Sequence, residues 1–111
     1  GIPWTARLDC GDRAYPQRLA KQLEVTTPST ALVATGVRWV DRDGRERFRR
    51  VPASTIPSPR AFAYNCPVIH PSVLFRTHLA IDVGGYPTTY PAAEDYALFW
   101  ALAEQGQLIG I

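Results

Sequence analysis

Apolar and polar residues alternate over residues 4–8, which is the pattern of a strand with one buried and one solvated face. A helical pattern follows over residues 16–23, and its Pro16 is a residue that the first turn of a helix accepts. Acidic residues lie between these elements, at Asp9 and Asp12. The sequence therefore predicts carboxylates at the end of a strand, where open α/β sheets bind ligands. Because aspartates also shape turns and cap helices, a structural role for both is an open alternative.

The middle of the chain predicts a β-hairpin. Residues 31–40 are rich in β-branched and aromatic side chains, and residues 45–51 form a returning strand. Residues 41–44 read Asp-Arg-Asp-Gly, and Asp-Gly suits the positive φ angles of tight hairpins. The arginines of the return strand either form a charged edge that discourages aggregation or contact an anion, such as a lipid headgroup or a sugar-linked phosphate. These arginines are Arg45, Arg47, Arg49 and Arg50.

The next stretch predicts a loop, a helical turn and a strand. Residues 52–59 contain three prolines and indicate a loop or mobile flap. A short helical turn and an extended run are expected over residues 60–71, followed by a buried strand over residues 72–76. Thr77 is expected to cap a short helix through residue 83, which Gly84-Gly85 ends.

The clearest helix covers residues 92–105, with Gly106 as its stop, and a last strand is expected over residues 107–111. Glu94 and Asp95 lie in the first turn of this helix, where the helix dipole favours acids by roughly 0.3–1 kcal/mol. A carboxylate held there could also take a proton from an attacking hydroxyl, so both interpretations are open. The apolar face of the helix consists of Leu98, Ala101, Leu102 and Gln105, widened by Phe99 and Trp100.

Size and charge exclude several classes of protein. With 111 residues and 46% hydrophobic residues the chain forms one domain with a modest core. Its net charge of +2 is too small to argue for nucleic acid. No apolar run approaches the roughly 20 residues that span a bilayer, and no signal segment opens the chain. Strand-like residues at both ends predict a segment of a longer protein.

The cysteines and histidines have simple interpretations beside functional ones. Cys10 and Cys66 are too few for a metal-site spacing and are interpreted as reduced thiols in a cytoplasmic protein, with a disulfide as the alternative. His70, between Ile69 and Pro71, is either a half-buried, hydrogen-bonded residue or a catalyst, and His78 is expected at the surface.

Several segments, taken in order, resemble family 2 glycosyltransferases. Residues 6–12 and the helix after them are similar to the Asp-x-Asp region of that family, and residues 36–44 to its next strand and turn. Residues 70–76 resemble its His-Pro-Ser segment and residues 84–86 its Gly-Gly-Tyr segment. Ala93-Glu94-Asp95-Tyr96 matches its Glu-Asp motif. The order and spacing cover nearly the whole chain.

The resemblance implies an α/β protein with a partial GT-A fold, a mixed sheet with flanking helices that binds a nucleotide-sugar. It implies a Mg²⁺ or Mn²⁺ ion at Asp9 and Asp12 that neutralises the diphosphate leaving group. Asp95 would deprotonate the acceptor hydroxyl in an inverting transfer, and Glu94 would support it. His70 and Arg76 are carried over as substrate-binding residues, and residues 52–59 as part of the acceptor side.

This chain departs from the family pattern in two respects. Gly11 stands where the family has the second acid of its motif, the usual metal ligand, which puts metal binding in doubt. The N-terminal half of the family's catalytic domain, with most of the nucleotide pocket, is missing, so the isolated chain is expected to bind nucleotide-sugar poorly and to be inactive. The chain is therefore expected to be a single partial domain, with residues 1–51 on the metal and diphosphate side and residues 52–111 on the acceptor side.

The leading hypothesis is that the chain is a fragment of a cytoplasmic glycosyltransferase. A location at the inner face of the membrane is an open alternative within this hypothesis. Its partners would be a nucleotide-sugar donor and a glycan or lipid-linked acceptor, without nucleic acid. The first alternative is a catalytically inert truncated GT-A module that acts in binding or self-assembly as a homo-oligomer. A third hypothesis is an anion- or membrane-surface module based on the arginines between Arg45 and Arg50. The donor sugar, the nucleotide and the acceptor are left open by the sequence.

Overall fold

The fold is a mixed α/β arrangement, and our computed structural model describes residues 1–56 and 59–111. The helices are α1 (Arg18–Glu24), α2 (Thr77–Asp82) and α3 (Glu94–Ala103), with short 3₁₀ helices at Pro59–Ala63 and His70–Ser72. The strands are β1 (Trp4–Ala6), β2 (Thr30–Ala34), β3 (Val37–Val40), β4 (Glu46–Arg50), β5 (Thr55–Ile56), β6 (Leu74–Arg76) and β7 (Gln107–Gly110). Within the described ranges, no helix has both the length and the apolar character needed to cross a membrane.

Five strands form the main sheet in the order β1-β6-β2-β7-β5, and β3 and β4 form a separate two-stranded sheet. β6 is antiparallel to both of its neighbours, while β2 and β7 are parallel. β1, β2 and β7 therefore run in one direction, and their carboxyl ends lie at one edge, which we call the carboxyl edge. β6 starts at that edge, because Leu74 pairs with Ala6 and with Val33.

The core lies around β2, whose five residues are all buried. This explains why β2 reads as a continuous apolar run rather than an alternating one, since neither of its faces meets water. Helix α3 covers the sheet with Leu98, Phe99 and Leu102, and Phe62 from the first 3₁₀ helix joins them. The predicted apolar face is therefore confirmed at Leu98 and Leu102, whereas Gln105 is exposed and Ala101 lines an outer groove.

Gln22 attaches α1 to the sheet. Its side chain is fully buried, and its amide nitrogen donates to Val33 O at 2.8 Å and to Ser72 O at 3.0 Å. The amide oxygen accepts from Arg18 Nε at 3.1 Å. Because a buried amide without partners would destabilise the fold, these bonds fix the position of α1 beside the carboxyl edge.

The prediction of one strand over residues 31–40 is wrong. β2 ends at Ala34, and β3 starts at Val37 in the other sheet. β2 pairs with β7 up to Ala34, whose carbonyl accepts from Ile111 N at 2.9 Å. The chain then leaves the main sheet, because the charged residues of the hairpin could not be buried as β2 is.

The hairpin turn lies where the sequence predicts it. Asp41 Oδ1 accepts from the backbone nitrogens of Asp43 and Arg45, both at 2.9 Å. Gly44 has a φ of 78°, and no other residue of this turn has a positive φ. The turn is therefore of the type that ends in one left-handed glycine rather than a two-residue hairpin turn.

The predicted starts of all three helices are wrong. α1 begins at Arg18 after a turn that contains Pro16, because Arg18 N donates to Tyr15 O. Thr77 is the first residue of α2 rather than its cap, and its hydroxyl pairs with that of Thr5 at 2.8 Å. Helix α3 is shorter than predicted, beginning at Glu94 instead of residue 92.

The predicted end of α2 is confirmed. Gly84 and Gly85 have φ angles of 91° and 70°, and Gly85 N donates to Ala80 O at 2.7 Å. This is the hydrogen-bond pattern of a Schellman motif, which favours glycine because L side chains disfavour the left-handed conformation. The motif positions Tyr86 directly after the second glycine.

The predicted loop over residues 52–59 contains a short strand. β5 pairs with β7 in antiparallel register through Thr55 and Ile109. The sequence indicated only loop there because two residues do not make a periodic pattern. The remainder of that loop includes residues 57 and 58, which lie outside the described ranges.

Candidate functional site

The turn after β1 carries the first predicted acid. Asp12 N donates to Asp9 O at 3.1 Å, and Gly11 between them has a φ of 88°. A positive φ at the third position of such a turn is that of a type II turn, which favours glycine. The glycine that replaces the expected acid thus has a local structural reason. Asp9 accepts a hydrogen bond from Arg7 Nη2 at 2.9 Å.

His70 lies at the same edge, in the 3₁₀ helix that leads into β6. Its Nε2 is 2.9 Å from the Tyr86 hydroxyl, and its Nδ1 is 3.6 Å from Asp95 Oδ2. The ring also packs edge-on against Phe99, with 5.4 Å between ring centroids. His70 therefore joins β6, the loop after α2 and the start of α3.

Glu94 and Asp95 form the first turn of α3, as predicted. Asp95 Oδ1 accepts from Tyr96 N at 2.8 Å, which leaves Oδ2 directed toward His70. No side chain caps this helix end, because Ala93 occupies the cap position. The two carboxylates therefore lie at the positive end of the helix, where their charge is favoured.

Four charged side chains act on both His70 and Tyr86. Burial lowers the pKa of His70 most, the positive charge of Arg7 lowers it further, and Asp95, Asp9 and Glu94 raise it in part. The imidazole is consequently neutral at pH 7. Burial also raises the pKa of Tyr86, so its phenol stays protonated. Acids that are far apart in the sequence thus converge on one His-Tyr pair.

Two polar atoms among these residues lack a hydrogen-bond partner in the described part of the chain. They are Arg7 Nε, a donor, and Glu94 Oε2, an acceptor, and both are buried. Buried polar atoms without partners are uncommon in native proteins, because each one costs desolvation free energy. The unpartnered donor and acceptor thus belong to residues that are close in the sequence to Asp9 and Asp95.

The structure places Asp95 beside His70 and brings Asp9 and Glu94 close enough for their charges to raise the pKa of that histidine, but it does not bring the other two predicted residues to them. Asp12 is exposed at the far end of the turn. Arg76 ends β6 at the opposite edge of the sheet, where its Nε donates to Thr30 O and its Nη2 to Thr27 O, both at 2.6 Å.

Sequence reasoning did not single out Arg7 and Tyr86 as functional residues. Both lie inside segments that resemble the glycosyltransferase motifs, one before Asp9 and the other after the double glycine. Their place in these motifs was a sequence signal for both residues. It was not specific, because a place in a motif does not show which side chains have polar atoms without partners.

The residues present do not by themselves form a metal site. Asp9 shares an oxygen with Arg7 at 2.9 Å, and Gly11 offers no side-chain ligand. In residues 1–56 and 59–111, no three His, Cys, Asp or Glu side chains are grouped so that they could hold an ion. Mg²⁺ also takes water and phosphate oxygens as ligands. A bound nucleoside diphosphate could therefore supply ligands that these side chains do not.

Next to the carboxylates, the outer side of α3 borders an open groove of about 500 Å³. Tyr96 and Trp100 line one side, and Ala93, Ala97 and Ala101 provide a floor of small residues. Glu104 lies at the far end of this groove. Tyr90 also lines the groove, which therefore runs from the loop before α3 to the end of that helix.

Both cysteines are free thiols, as the interpretation of reduced cysteines requires. Cys10 is exposed in the turn after β1, whereas Cys66 is half-buried. Burial raises the pKa of the Cys66 thiol above its ordinary value, which makes it less nucleophilic at neutral pH.

Comparison with known proteins relates the chain to a glycosyltransferase. It is 30% identical over 103 residues to the amylovoran biosynthesis glycosyltransferase AmsE of Erwinia amylovora. That alignment covers 91% of this chain but 38% of AmsE, so the chain spans well under half the length of this relative. No protein-family model and no solved structure matches the chain.

Proposed function

We propose that this chain is the acceptor side of a family 2 glycosyltransferase with a GT-A fold. The whole protein would transfer a sugar from a nucleotide-sugar donor to an acceptor hydroxyl, with inversion at the anomeric carbon. The similarity to AmsE supports glycosyl transfer in general. The motif order along the sequence supports the narrower family assignment.

The convergence of two acidic segments on His70 carries this proposal. Asp9 belongs to the turn after β1 and Asp95 to the start of α3, yet both influence the same imidazole. The unpartnered atoms of Arg7 and Glu94 add a donor and an acceptor of the kind that sugar hydroxyls satisfy.

In the proposed reaction, Asp95 Oδ2 accepts the proton of the acceptor hydroxyl while that oxygen bonds to the anomeric carbon of the donor. The bond between this carbon and the phosphate oxygen breaks, and its electron pair leaves with the nucleoside diphosphate. Attack occurs on the face opposite the leaving group, so the configuration inverts. A positioned general base typically contributes about 10²- to 10⁴-fold to the rate.

His70 and Tyr86 would keep Asp95 in its reactive state. If the Tyr86 hydroxyl donates to Nε2, the remaining imidazole proton lies on Nδ1 and faces Asp95 Oδ2. A neutral N–H in that position orients the carboxylate without neutralising it. Glu94 Oε2 would accept a second hydroxyl of the acceptor, which sets the orientation of the incoming sugar.

A requirement for Mg²⁺ or Mn²⁺ at Asp9 and Asp12 stays a prediction, and no step above depends on it. When bound, such an ion would supply positive charge to the departing diphosphate. Titration of the protein with UDP and GDP, each with and without Mn²⁺, measures this directly by calorimetry.

The variant Asp95→Asn, made in the whole protein that contains this chain, tests the general base. We expect release of UDP or GDP from nucleotide-sugars in the presence of acceptor to fall by about 10²-fold or more, because asparagine cannot take the proton. Donor binding, measured by calorimetry, should be unchanged. Asp82→Asn is the matched control, since Asp82 is an exposed acid at the end of α2. Equal turnover in the two variants would contradict the assignment of Asp95.

An inert binding or self-assembly module is the second candidate. It is favoured by Gly11, which removes a side-chain ligand, and by the ion pair that occupies Asp9. Sedimentation of the protein over a range of concentrations distinguishes the two candidates. A mass that rises with concentration, together with no nucleotide response, supports the module and contradicts the enzyme.

A further inference from the structure

The β3–β4 hairpin concentrates the positive charge of the protein. Residues 38–50 contain six arginines and three acidic residues, whereas the remaining residues contain six basic and seven acidic ones. The hairpin has a sheet of its own, and neither of its strands pairs with the main sheet. A basic element thus stands apart from a body whose charges nearly cancel.

Several of these arginines remain available to a partner. In the described part of the chain, Arg42 and Arg45 at the turn have no side-chain partner. Arg47 and Arg49 pair with Asp41 and Glu46, yet their side chains stay 70% and 60% exposed. Ion pairs as exposed as these contribute little free energy and do not prevent contact with a further anion.

The same hairpin carries an exposed aromatic pair, on the face opposite the Arg38–Arg49 pair. Trp39 and Phe48 are cross-strand partners whose rings stack with 4.1 Å between centroids and 5° between planes. Although they cover one another, Trp39 is 37% and Phe48 54% exposed, and the neighbouring Val40 is exposed as well. Large apolar residues in such numbers on one small hairpin need an explanation beyond its folding.

We propose that the β3–β4 hairpin is a docking element for an anionic lipid bilayer. Arg42 and Arg45 at its turn would contact lipid phosphates, and Trp39 and Phe48 would enter the headgroup region, where aromatic side chains are favoured. A second copy of the chain is a poor occupant, because two hairpins of like charge repel one another. A nucleic acid would match the arginines but would leave the stacked pair and Val40 without a role. This inference does not depend on the proposed transferase activity.

Sedimentation with vesicles measures the electrostatic part of the proposal. The protein should bind phosphatidylcholine vesicles that contain phosphatidylglycerol and should bind pure phosphatidylcholine vesicles much more weakly. Replacing Arg42→Gln and Arg45→Gln together should weaken binding about 30-fold, because each arginine near an anionic surface contributes roughly fivefold in affinity. Raising the salt from about 0.1 M to about 1 M should also release the protein, since the Debye length falls from about 10 Å to about 3 Å.

The control variant Arg13→Gln/Lys21→Gln removes the same charge from exposed positions outside the hairpin. Its binding should stay within about twofold of the unmodified protein if the hairpin is the contact, because its charges lie outside the docking element. All four replaced side chains are exposed, so circular dichroism should show no loss of fold in either variant. Equal weakening by the two double variants would overturn the proposal, as would oligonucleotide binding without vesicle binding.

Fluorescence tests the apolar part. Lipids brominated on their acyl chains should quench the tryptophan emission of the bound protein, and the variant Trp39→Phe should lose most of that quenching. This variant keeps an aromatic ring next to Phe48, so the hairpin should remain folded. Quenching that is the same in Trp39→Phe would contradict insertion of the hairpin, because it would come from Trp4 or Trp100.

Discussion

Two arginines at opposite edges of the main sheet differ in how completely their polar atoms are satisfied. Arg76 donates to two backbone carbonyls at 2.6 Å and covers the ring of Trp4, with 4.4 Å from its guanidinium carbon to the ring centroid. Arg7, at the carboxyl edge, reaches Asp9 but leaves Nε buried without a partner in the described ranges. Residue type and motif resemblance did not separate these two arginines, whereas their hydrogen bonds do.

This difference distinguishes an edge of the sheet that can bind a ligand from an edge that only stabilises the fold. At the Arg76 edge, each contact replaces one that water would have made, so the arginine stabilises the fold and needs nothing further. At the carboxyl edge, a donor and an acceptor stay unsatisfied beside the carboxylates of Asp9 and Asp95. We therefore place the proposed ligand at the carboxyl edge and treat Arg76 as structural.

The support beneath the carboxyl edge should show the largest stability effect. Gln22→Ala would leave Val33 O and Ser72 O without their donor, and we expect the free energy of unfolding to fall by about 3 kcal/mol. Denaturant unfolding measures this change. The exposed neighbour Gln17 provides the control Gln17→Ala, which should change stability by less than about 0.5 kcal/mol. Similar losses in both variants would mean that the buried bonds of Gln22 do not support this edge.

The Arg76 edge should show the next largest effect. Arg76→Met keeps the length and apolar stem but removes both charge-assisted bonds to the carbonyls of Thr27 and Thr30. We expect a loss of about 2 kcal/mol in unfolding free energy. Binding of nucleotide or acceptor should be unchanged. If Arg76→Met instead abolishes binding and leaves stability intact, the comparison between the edges is wrong.

Arg7→Met should behave in the opposite way. Its pair with Asp9 is about two-fifths exposed on each side, so its loss should cost only about 0.5 kcal/mol of stability. Binding of the acceptor should weaken markedly, because Nε would no longer be available to a ligand. Arg76→Met should therefore have the larger effect on unfolding, and Arg7→Met the larger effect on calorimetric binding. If the same variant had the larger effect in both assays, the account would be contradicted.

The smallest expected effect is a pH dependence that comes from His70. Its pKa is lowered in the folded protein, so the unfolded chain binds a proton at a higher pH than the folded one does. The resulting stability is complete above the unfolded pKa of about 6.5 and declines as the pH falls below it. The variant His70→Asn should lack this part of the decline, whereas His78→Asn should retain it, because His78 is exposed. Identical pH profiles for the two variants would exclude His70 as the source.

Much of the fold could be predicted from local signals. The alternation before Asp9, the double glycine after α2 and the apolar face of α3 are each written within a few residues. The departure of the chain from the main sheet after Ala34 could not be predicted, because the partner of β2 in that sheet is β7, over 70 residues later. Pairing between distant strands is a tertiary effect that overrides local preference for strand.

The carboxylates of the candidate site could be predicted from the sequence, but their arrangement around His70 could not. Motif resemblance selected Asp9, Glu94 and Asp95, and the structure brings them to the same histidine. It also selected Arg76, whose guanidinium turns out to serve the opposite edge. The sequence could not separate these cases, since satisfaction of a polar atom depends on which backbone groups lie within hydrogen-bond distance.

The pKa of His70, measured by NMR titration in matched variants, tests the convergence of the two acidic segments most directly. Removing a nearby negative charge should lower this pKa, so we predict a decrease in both Asp9→Asn and Asp95→Asn and an increase in Arg7→Met. Asp12→Asn is the control from the same turn, and its effect should be the smallest of the four. A shift in Asp9→Asn no larger than that in Asp12→Asn would contradict the convergence and, with it, the proposed site.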